Sequence, residues 1–182
     1  MFKQVVLASA TALACLSASA QMPASNGAAG GKTAAQTQGQ ADAVKQLEAL
    51  LTCKPGTKLT VKDVEAQFQT LGLARSKDSR IIFLPQGKTV IFDDEVLAAS
   101  VNAALNESSI VVFFKNKTGK QMAQKFGVTK IDESANTDEA SYFKQTSKRT
   151  RLSISSADEL SVGNSSVIKF KSAIGCALRT TS

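Results

Sequence analysis

Close groups of carboxylates are the side chains of this sequence that come nearest to a catalytic arrangement. Two carboxylates in one cleft can act as general acid and base, and a denser set of oxygen ligands can bind calcium. Each group lies in a predicted loop or at the end of a predicted element, where acidic side chains are usually solvated or cap a helix. We therefore expect neither a catalytic pair nor a metal site from these groups: Asp93 with Asp94 and Glu95, Asp132 with Glu133, Asp138 with Glu139, and Asp158 with Glu159.

The 182-residue sequence contains no histidine. This excludes Ser/His/Asp and Cys/His nucleophiles and the usual zinc sites. A serine with a lysine base stays possible, since both residue types are abundant, but no spacing singles out a pair. We expect a non-catalytic protein without a cofactor or metal. The alternative is a hydrolase of envelope polymers that uses a carboxylate pair or a Ser/Lys dyad.

The first 20 residues are typical of a secretory signal peptide. Lys3 precedes a short apolar run, and small residues end the segment at Ala20, so cleavage is expected before Gln21. A lipoprotein signal would use Cys15, but Leu13 lies one position too near to it, and lipidation is not expected. The apolar run is too short to span a bilayer. We expect an exported protein, periplasmic or secreted, that is not an integral membrane protein.

Removal of the signal peptide would leave two cysteines, Cys53 and Cys176. In an oxidising compartment, an even number of cysteines indicates a disulfide. Two buried free thiols are the alternative, because cysteine also packs as a small apolar residue. A bridge would join the last strand to the end of the first helix. Closing so long a loop stabilises a fold by roughly 4 to 5 kcal/mol.

A basic segment near the C-terminus is the predicted partner-binding surface. The formal net charge of +7 favours association with acidic partners. The partner would be a protein with an acidic surface or an anionic envelope polymer, lipid or glycan, and nucleic acid is not expected because exported proteins seldom meet it. A solvated edge strand is the competing interpretation, since charges keep sheet edges soluble. The predicted site consists of Tyr142, Lys144, Lys148, Arg149 and Arg151, with Phe143 beside them.

Composition and hydrophobic spacing divide the chain into three parts. Residues 1–20 are the signal peptide, residues 21–41 form a disordered Ala/Gly/Gln-rich tether, and residues 42–182 form a single domain stapled by the disulfide. Apolar residues at helical spacing predict helices over residues 42–51, 60–72 and 117–126, with Thr60 as an N-cap. Residues 129–140 and 158–165 are predicted loops.

Alternating or continuous apolar residues predict the strands. Residues 80–84 and 88–92 form a predicted hairpin, residues 110–114 an interior strand, and residues 142–155 an edge strand. Residues 95–105 fit either a strand or a helix, and the alternation slightly favours a strand. Residues 167–178 form one final strand with one face made of Ile168, Phe170, Ile174, Cys176 and Leu178.

These elements predict an α+β fold. Two N-terminal helices pack on a curved antiparallel sheet of about five or six strands, and one short helix is inserted between strands. Because the sequence contains no recognisable set of catalytic residues, we expect an exported protein-binding module, for example an inhibitor, an immunity-type protein or an envelope accessory protein.

Overall fold

The computed structural model describes residues 38–56, 60–104, 107–131, 141–164 and 166–179. The predicted signal peptide and the tether up to residue 37 lie outside the described residues. The three described helices are α1 (Gln38–Leu51), α2 (Val61–Thr70) and α3 (Gly119–Phe126). The described strands are β1 (Leu73–Arg75), β2 (Ile82–Pro85), β3 (Val90–Ile91), β4 (Asp94–Ala103), β5 (Glu107–Phe114), β6 (Lys130–Ile131), β7 (Tyr142–Gln145), β8 (Thr150–Ser155), β9 (Asp158–Val162), β10 (Ser166–Phe170) and β11 (Ser172–Arg179).

Local capping fixes the ends of two helices. The Thr60 hydroxyl accepts a hydrogen bond from the Asp63 amide at the start of α2, as predicted. α3 begins with a capping box between Thr118 and Gln121 and ends at Gly127, whose φ of 60° is left-handed. α1 begins at Gln38, four residues before the predicted start at residue 42, so residues 38–41 belong to this helix.

The fold is α+β, with a main antiparallel sheet in the order β1-β2-β4-β5-β11-β8-β7-β6. β3 pairs with β4 beside this path, which gives nine strands in the described sheet instead of the predicted five or six. Residues 94–103 are a strand, the alternative that the alternation favoured. The predicted loop over residues 129–140 contains β6 at its start, and residues 132–140 lie outside the described residues.

One predicted hairpin and one predicted edge strand were wrong because the tight turns lie elsewhere. β2 pairs with β1 and β4, and β3 pairs with β4, so residues 80–84 and 88–92 do not form a hairpin. The two-residue turn at Phe92 and Asp93 joins β3 to β4 instead. Residues 142–155 are likewise two strands, β7 and β8, and β8 is interior because it lies between β7 and β11.

The predicted final strand is divided at Lys171. β10 pairs with β9 in a separate two-stranded sheet, whereas β11 lies in the main sheet between β5 and β8. The predicted loop over residues 158–165 was therefore wrong, since it contains β9. The predicted common face was also wrong, because Phe170 and Ile174 belong to different hydrophobic clusters.

Helices pack on one face of the main sheet, and the β9–β10 hairpin covers part of the other. The larger cluster packs side chains of α1, α2 and α3 against one face and includes Leu47, Phe68, Phe114, Met122 and Ile174. The β9–β10 hairpin packs Val162 and Phe170 against Phe113 and Ala173 on the opposite face, which we call the outer face. The predicted disulfide joins Cys53, after α1, to Cys176 in β11 across 123 residues, and both cysteines are buried.

Candidate binding surface

The predicted basic site lies on the β7–β8 hairpin, but its residues do not share one face. Residues directly opposite one another in an antiparallel pair point to the same side of the sheet. Tyr142 lies opposite Ile154 and packs against the larger cluster on the helix side, and Lys144 lies opposite the buried Leu152. Arg151 lies opposite Gln145 on the outer face. The sheet therefore separates Tyr142 and Lys144 from Arg151.

The hairpin turn presents the other two predicted residues, Lys148 and Arg149, to solvent. The Ser147 hydroxyl accepts hydrogen bonds from the Arg149 and Thr150 amides, both at 3.1 Å. The hydroxyl groups of Thr146 and Thr150 lie 2.7 Å apart. These hydrogen bonds stabilise the turn, because side-chain oxygens can accept hydrogen bonds from backbone amides where the hydrogen bonds between the two strands end. Lys148 and Arg149 therefore lie at the tip of a turn that these hydrogen bonds stabilise.

Strand register places Arg151 at one end of a groove on the outer face. In one row across the sheet, Val111 of β5 lies opposite Gly175 of β11, Gly175 opposite Ser153 of β8, and Ser153 opposite Phe143 of β7. The neighbouring row contains Arg151. The groove has a volume of about 300 Å³ and is lined by Val111, Phe113, Phe143, Arg151, Ser153 and Gly175, among others. We call it the outer groove.

Aromatic rings shape both ends of the outer groove. The Arg151 guanidinium lies 5.9 Å from the centre of the Phe143 ring, within the range of a cation–π contact. At the other end, Phe113 packs edge-on against Phe170 of the β9–β10 hairpin, with ring centres 5.0 Å apart. Among the described residues, no carboxylate forms an ion pair with Arg151. The groove thus combines an apolar lining with one cation.

The sequence did not indicate most of this groove. Val111, Ser153 and Gly175 belong to three strands, and only the pairing of β5, β11 and β8 brings them into one row. Gly175 was the one detectable signal, because glycine within a strand often marks a close approach of another group. A Cβ atom at this position would lie 2.9 Å from the Ile110 carbonyl oxygen and 2.9 Å from a methyl carbon of Val111.

The three consecutive carboxylates at residues 93–95 each have a separate partner. Asp93 pairs with Lys125 at 3.0 Å, and the hydrogen bond from Lys125, with its positive charge, lowers the pKa of this carboxyl. Asp94 is buried and accepts hydrogen bonds from backbone amides, including that of Lys117 at 2.7 Å. Glu95 pairs with Lys115 at 2.9 Å. These contacts hold the β3–β4 turn and the segment before α3 together.

A second, wider cleft lies beside the same turn. It has a volume of about 860 Å³ and is lined by Lys45, Glu48, Lys54, Phe92, Asp93 and Lys125, among others. Phe92 and Asp93 both have positive φ values, 54° and 60°, which residues other than glycine rarely adopt. Charges of both signs line this cleft. Two of them contact the turn or its residues, since Glu48 accepts the Phe92 amide at 3.2 Å and Lys125 pairs with Asp93.

The remaining predicted acidic groups do not add a cluster. Glu159 pairs with Lys169 across the β9–β10 hairpin at 3.1 Å, and the groups at residues 132–133 and 138–139 lie outside the described residues. Within the described ranges, no group of three or more Cys, Asp or Glu side chains could hold a metal ion. None of the helices in these ranges has both the length and the apolar character needed to cross a bilayer.

Comparisons of the chain with protein-family models, with curated proteins and with solved structures found no match.

Proposed function

We propose that this chain is an exported, non-catalytic binding module that takes an acidic protein partner on the outer face of its sheet. The observation that carries this proposal is the outer groove, in which Arg151 stands over Phe143 beside an apolar lining. Aromatic residues and arginine are enriched where proteins bind one another. The exposed Lys148 and Arg149 at the hairpin tip extend the positive surface beyond the groove.

Charge supports an acidic partner. The chain carries 22 Lys and Arg against 15 Asp and Glu. Such an excess attracts acidic surfaces and speeds encounter, and the effect weakens as salt screens it. Lys148 and Arg149 are exposed, so their main contribution would be to the association rate, whereas Arg151 beside an apolar lining would contribute more to the lifetime of the complex.

Export is part of the proposal. The signal-peptide pattern of residues 1–20 and the buried disulfide between Cys53 and Cys176 both suit an oxidising compartment. We propose a periplasmic or secreted location, in which inhibitors, immunity-type proteins and envelope accessory proteins meet their partners.

Affinity capture with matched variants tests the proposal. The mature chain, immobilised and exposed to the native envelope fraction, is expected to retain a stoichiometric protein. The double variant Lys148→Glu with Arg149→Glu should lose it, whereas Lys62→Glu with Lys120→Glu, which makes the same charge change on exposed helix positions, should keep it. Equal retention by both double variants, or no stoichiometric protein with the wild-type chain, would contradict the proposal.

The two alternatives predict different results. An anionic polymer or lipid would bind the tip cations through charge alone, so vesicles with anionic headgroups or an acidic glycan would be retained as well as the protein fraction and released at about 0.5 M NaCl. A hydrolase would need two carboxylates, or a serine and a lysine, in one cleft. The partners of Asp93, Asp94 and Glu95 favour a structural role for those three residues.

A further inference from the structure

Rows of side chains on the outer face have the spacing of an extended peptide. Arg151 lies opposite Ala177 in one row, and Ser153 lies opposite Gly175 in the next. Residues two apart on a strand are separated by about 6.8 Å, which is also the distance between side chains that an extended ligand turns to one side. A strand-like segment that runs parallel to β8 would therefore place alternate side chains over successive rows.

The row that contains Arg151 favours a negatively charged side chain of the ligand. The guanidinium of Arg151 is oriented by the Phe143 ring, so fewer side-chain conformations are lost when it binds a carboxylate. An arginine can donate two parallel hydrogen bonds to one carboxylate, which makes such a pair stronger than a neutral hydrogen bond. No described carboxylate forms an ion pair with Arg151, and a carboxylate of the partner has the charge and shape that complement its guanidinium.

The row that contains Ser153 and Gly175 favours an apolar side chain of moderate size from the ligand. Val111 and Phe143 are half-buried and stand on either side of Gly175 and Ser153. The absence of a side chain at Gly175 lets Val111 lie close against β11. A groove of about 300 Å³ is at the lower limit for a small-molecule site, and it accommodates one or two side chains of a larger partner.

We infer that the outer groove recognises an extended segment of the acidic partner with the pattern acidic–any–aliphatic, its carboxylate on Arg151 and its aliphatic side chain between Val111 and Phe143. This inference rests on the proposed function and specifies the chemistry of the segment that the partner supplies. The Phe113–Phe170 contact closes the groove beyond the aliphatic position. The recognised unit is consequently short, and the tip cations contact other parts of the partner.

A fluorescent label on the ligand provides a direct measurement, because the side chain of the single tyrosine, Tyr142, packs on the helix side of the sheet and not over the groove. The probe is the synthetic peptide Ser-Glu-Ser-Leu-Ser-amide, whose N-terminus carries an uncharged, environment-sensitive fluorophore. Control peptides replace Glu by Gln or Leu by Ser. We expect a saturable fluorescence change with the probe and a dissociation constant about tenfold weaker or more with either control.

Matched protein variants distinguish the groove from general attraction by charge. Arg151→Gln and Lys144→Gln remove the same charge from adjacent strands of one hairpin, but on opposite faces of the sheet. We expect Arg151→Gln to weaken binding of the probe about tenfold or more, and Lys144→Gln to change it by less than about twofold. Ser153→Phe, which fills the groove, should abolish the fluorescence change. Thermal melting of each variant verifies that it is folded.

Equal weakening by Arg151→Gln and Lys144→Gln would overturn the inference, as would equal affinity for the Glu and Gln peptides or no saturable change with the folded wild-type chain. Partner capture separates this failure from failure of the proposed function. If the Lys148 and Arg149 reversal abolishes capture while Arg151→Gln and Ser153→Phe leave it intact, the partner binds through the hairpin tip and the groove inference is wrong. If no partner is captured, the proposed function fails instead.

Discussion

The ammonium group of Lys125 donates a hydrogen bond of 3.0 Å to the backbone carbonyl of Phe92 and lies 5.7 Å from the centre of the Phe92 ring. The same carbonyl accepts a second hydrogen bond from Lys117 at 2.6 Å, and Glu48 accepts the Phe92 amide. Side chains from α1, from α3 and from the segment before α3 therefore hold a residue with a positive φ. Backbone in this region costs of order 1 to 3 kcal/mol per residue and persists only where its surroundings enforce it.

Replacement of Lys125 tests this arrangement. Lys125→Met keeps the apolar part of the side chain but removes the hydrogen bond to Phe92 and the ion pair with Asp93, and should lower the free energy of unfolding by about 1 kcal/mol. Lys120→Met, the same change at an exposed position of α3, should have almost no effect. Urea denaturation of both variants measures the difference. Equal stability of the two would show that Lys125 does not support the turn.

Acid should weaken the same contact. Lys125 lowers the pKa of Asp93 in the folded state. A carboxyl of this kind stabilises the fold above its unfolded pKa, about 3.9, and this stabilisation is lost as the pH falls through the lower, folded pKa. The melting temperature of Asp93→Asn should thus be lower than that of the wild type at about pH 6, and the two melting temperatures should converge toward about pH 2. A constant difference across this range would contradict the assignment.

The buried carboxylate of Asp94 should contribute more to stability than its exposed neighbours. It is 2% exposed and accepts hydrogen bonds from the Glu95 and Lys117 amides, both at 2.7 Å, and from the Asn116 side chain. Asp94→Ala leaves these donors without an acceptor, and we expect a loss of about 2 to 4 kcal/mol. Glu95→Gln breaks only a surface ion pair with Lys115, so its loss should stay below about 1 kcal/mol. Denaturation curves that show similar losses would argue against this role for Asp94.

The disulfide should account for a large part of the stability of the domain. The double variant Cys53→Ser with Cys176→Ser removes a link that spans 123 residues, and we expect a loss of roughly 4 to 5 kcal/mol. Calorimetry without reductant measures the change, and wild-type protein in reductant is the matched control. The outer groove lies on the face away from the disulfide, so peptide binding at low temperature should persist in the variant. Equal melting temperatures of variant and wild type under oxidising conditions would contradict the disulfide.

Much of the local structure could be predicted from the sequence. Apolar residues at helical spacing predicted a helix over residues 42–51, and the buried residues of α1 include Leu47, Leu50 and Leu51. Thr60 marked the start of α2. The two cysteines that remain after the predicted cleavage form the disulfide. These features depend on helical periodicity, backbone conformation and residue count, all of which are written in short stretches of sequence.

The division of strands could not be predicted in the same way. Apart from Ser172, apolar residues occupy every second position from Ile168 to Leu178. The chain nevertheless leaves one sheet and enters another at Lys171, whose amide donates a hydrogen bond to the Phe114 carbonyl at 2.8 Å. The turn between β7 and β8 could not be predicted for a similar reason, because Lys148 and Arg149 are also compatible with an exposed strand. A period of two identifies an extended chain but not its partner.

The sequence by itself determined that this protein has helices followed by strands, a single disulfide and an excess of positive charge without histidine, because each depends on composition or on neighbours along the chain. Only the tertiary structure decided that Arg151 faces outward over Phe143 while Lys144 faces the helix side, and that Val111 and Gly175 share a row with Ser153. The physical reason is strand register, since a shift of one residue in the pairing would turn every one of these side chains to the other face.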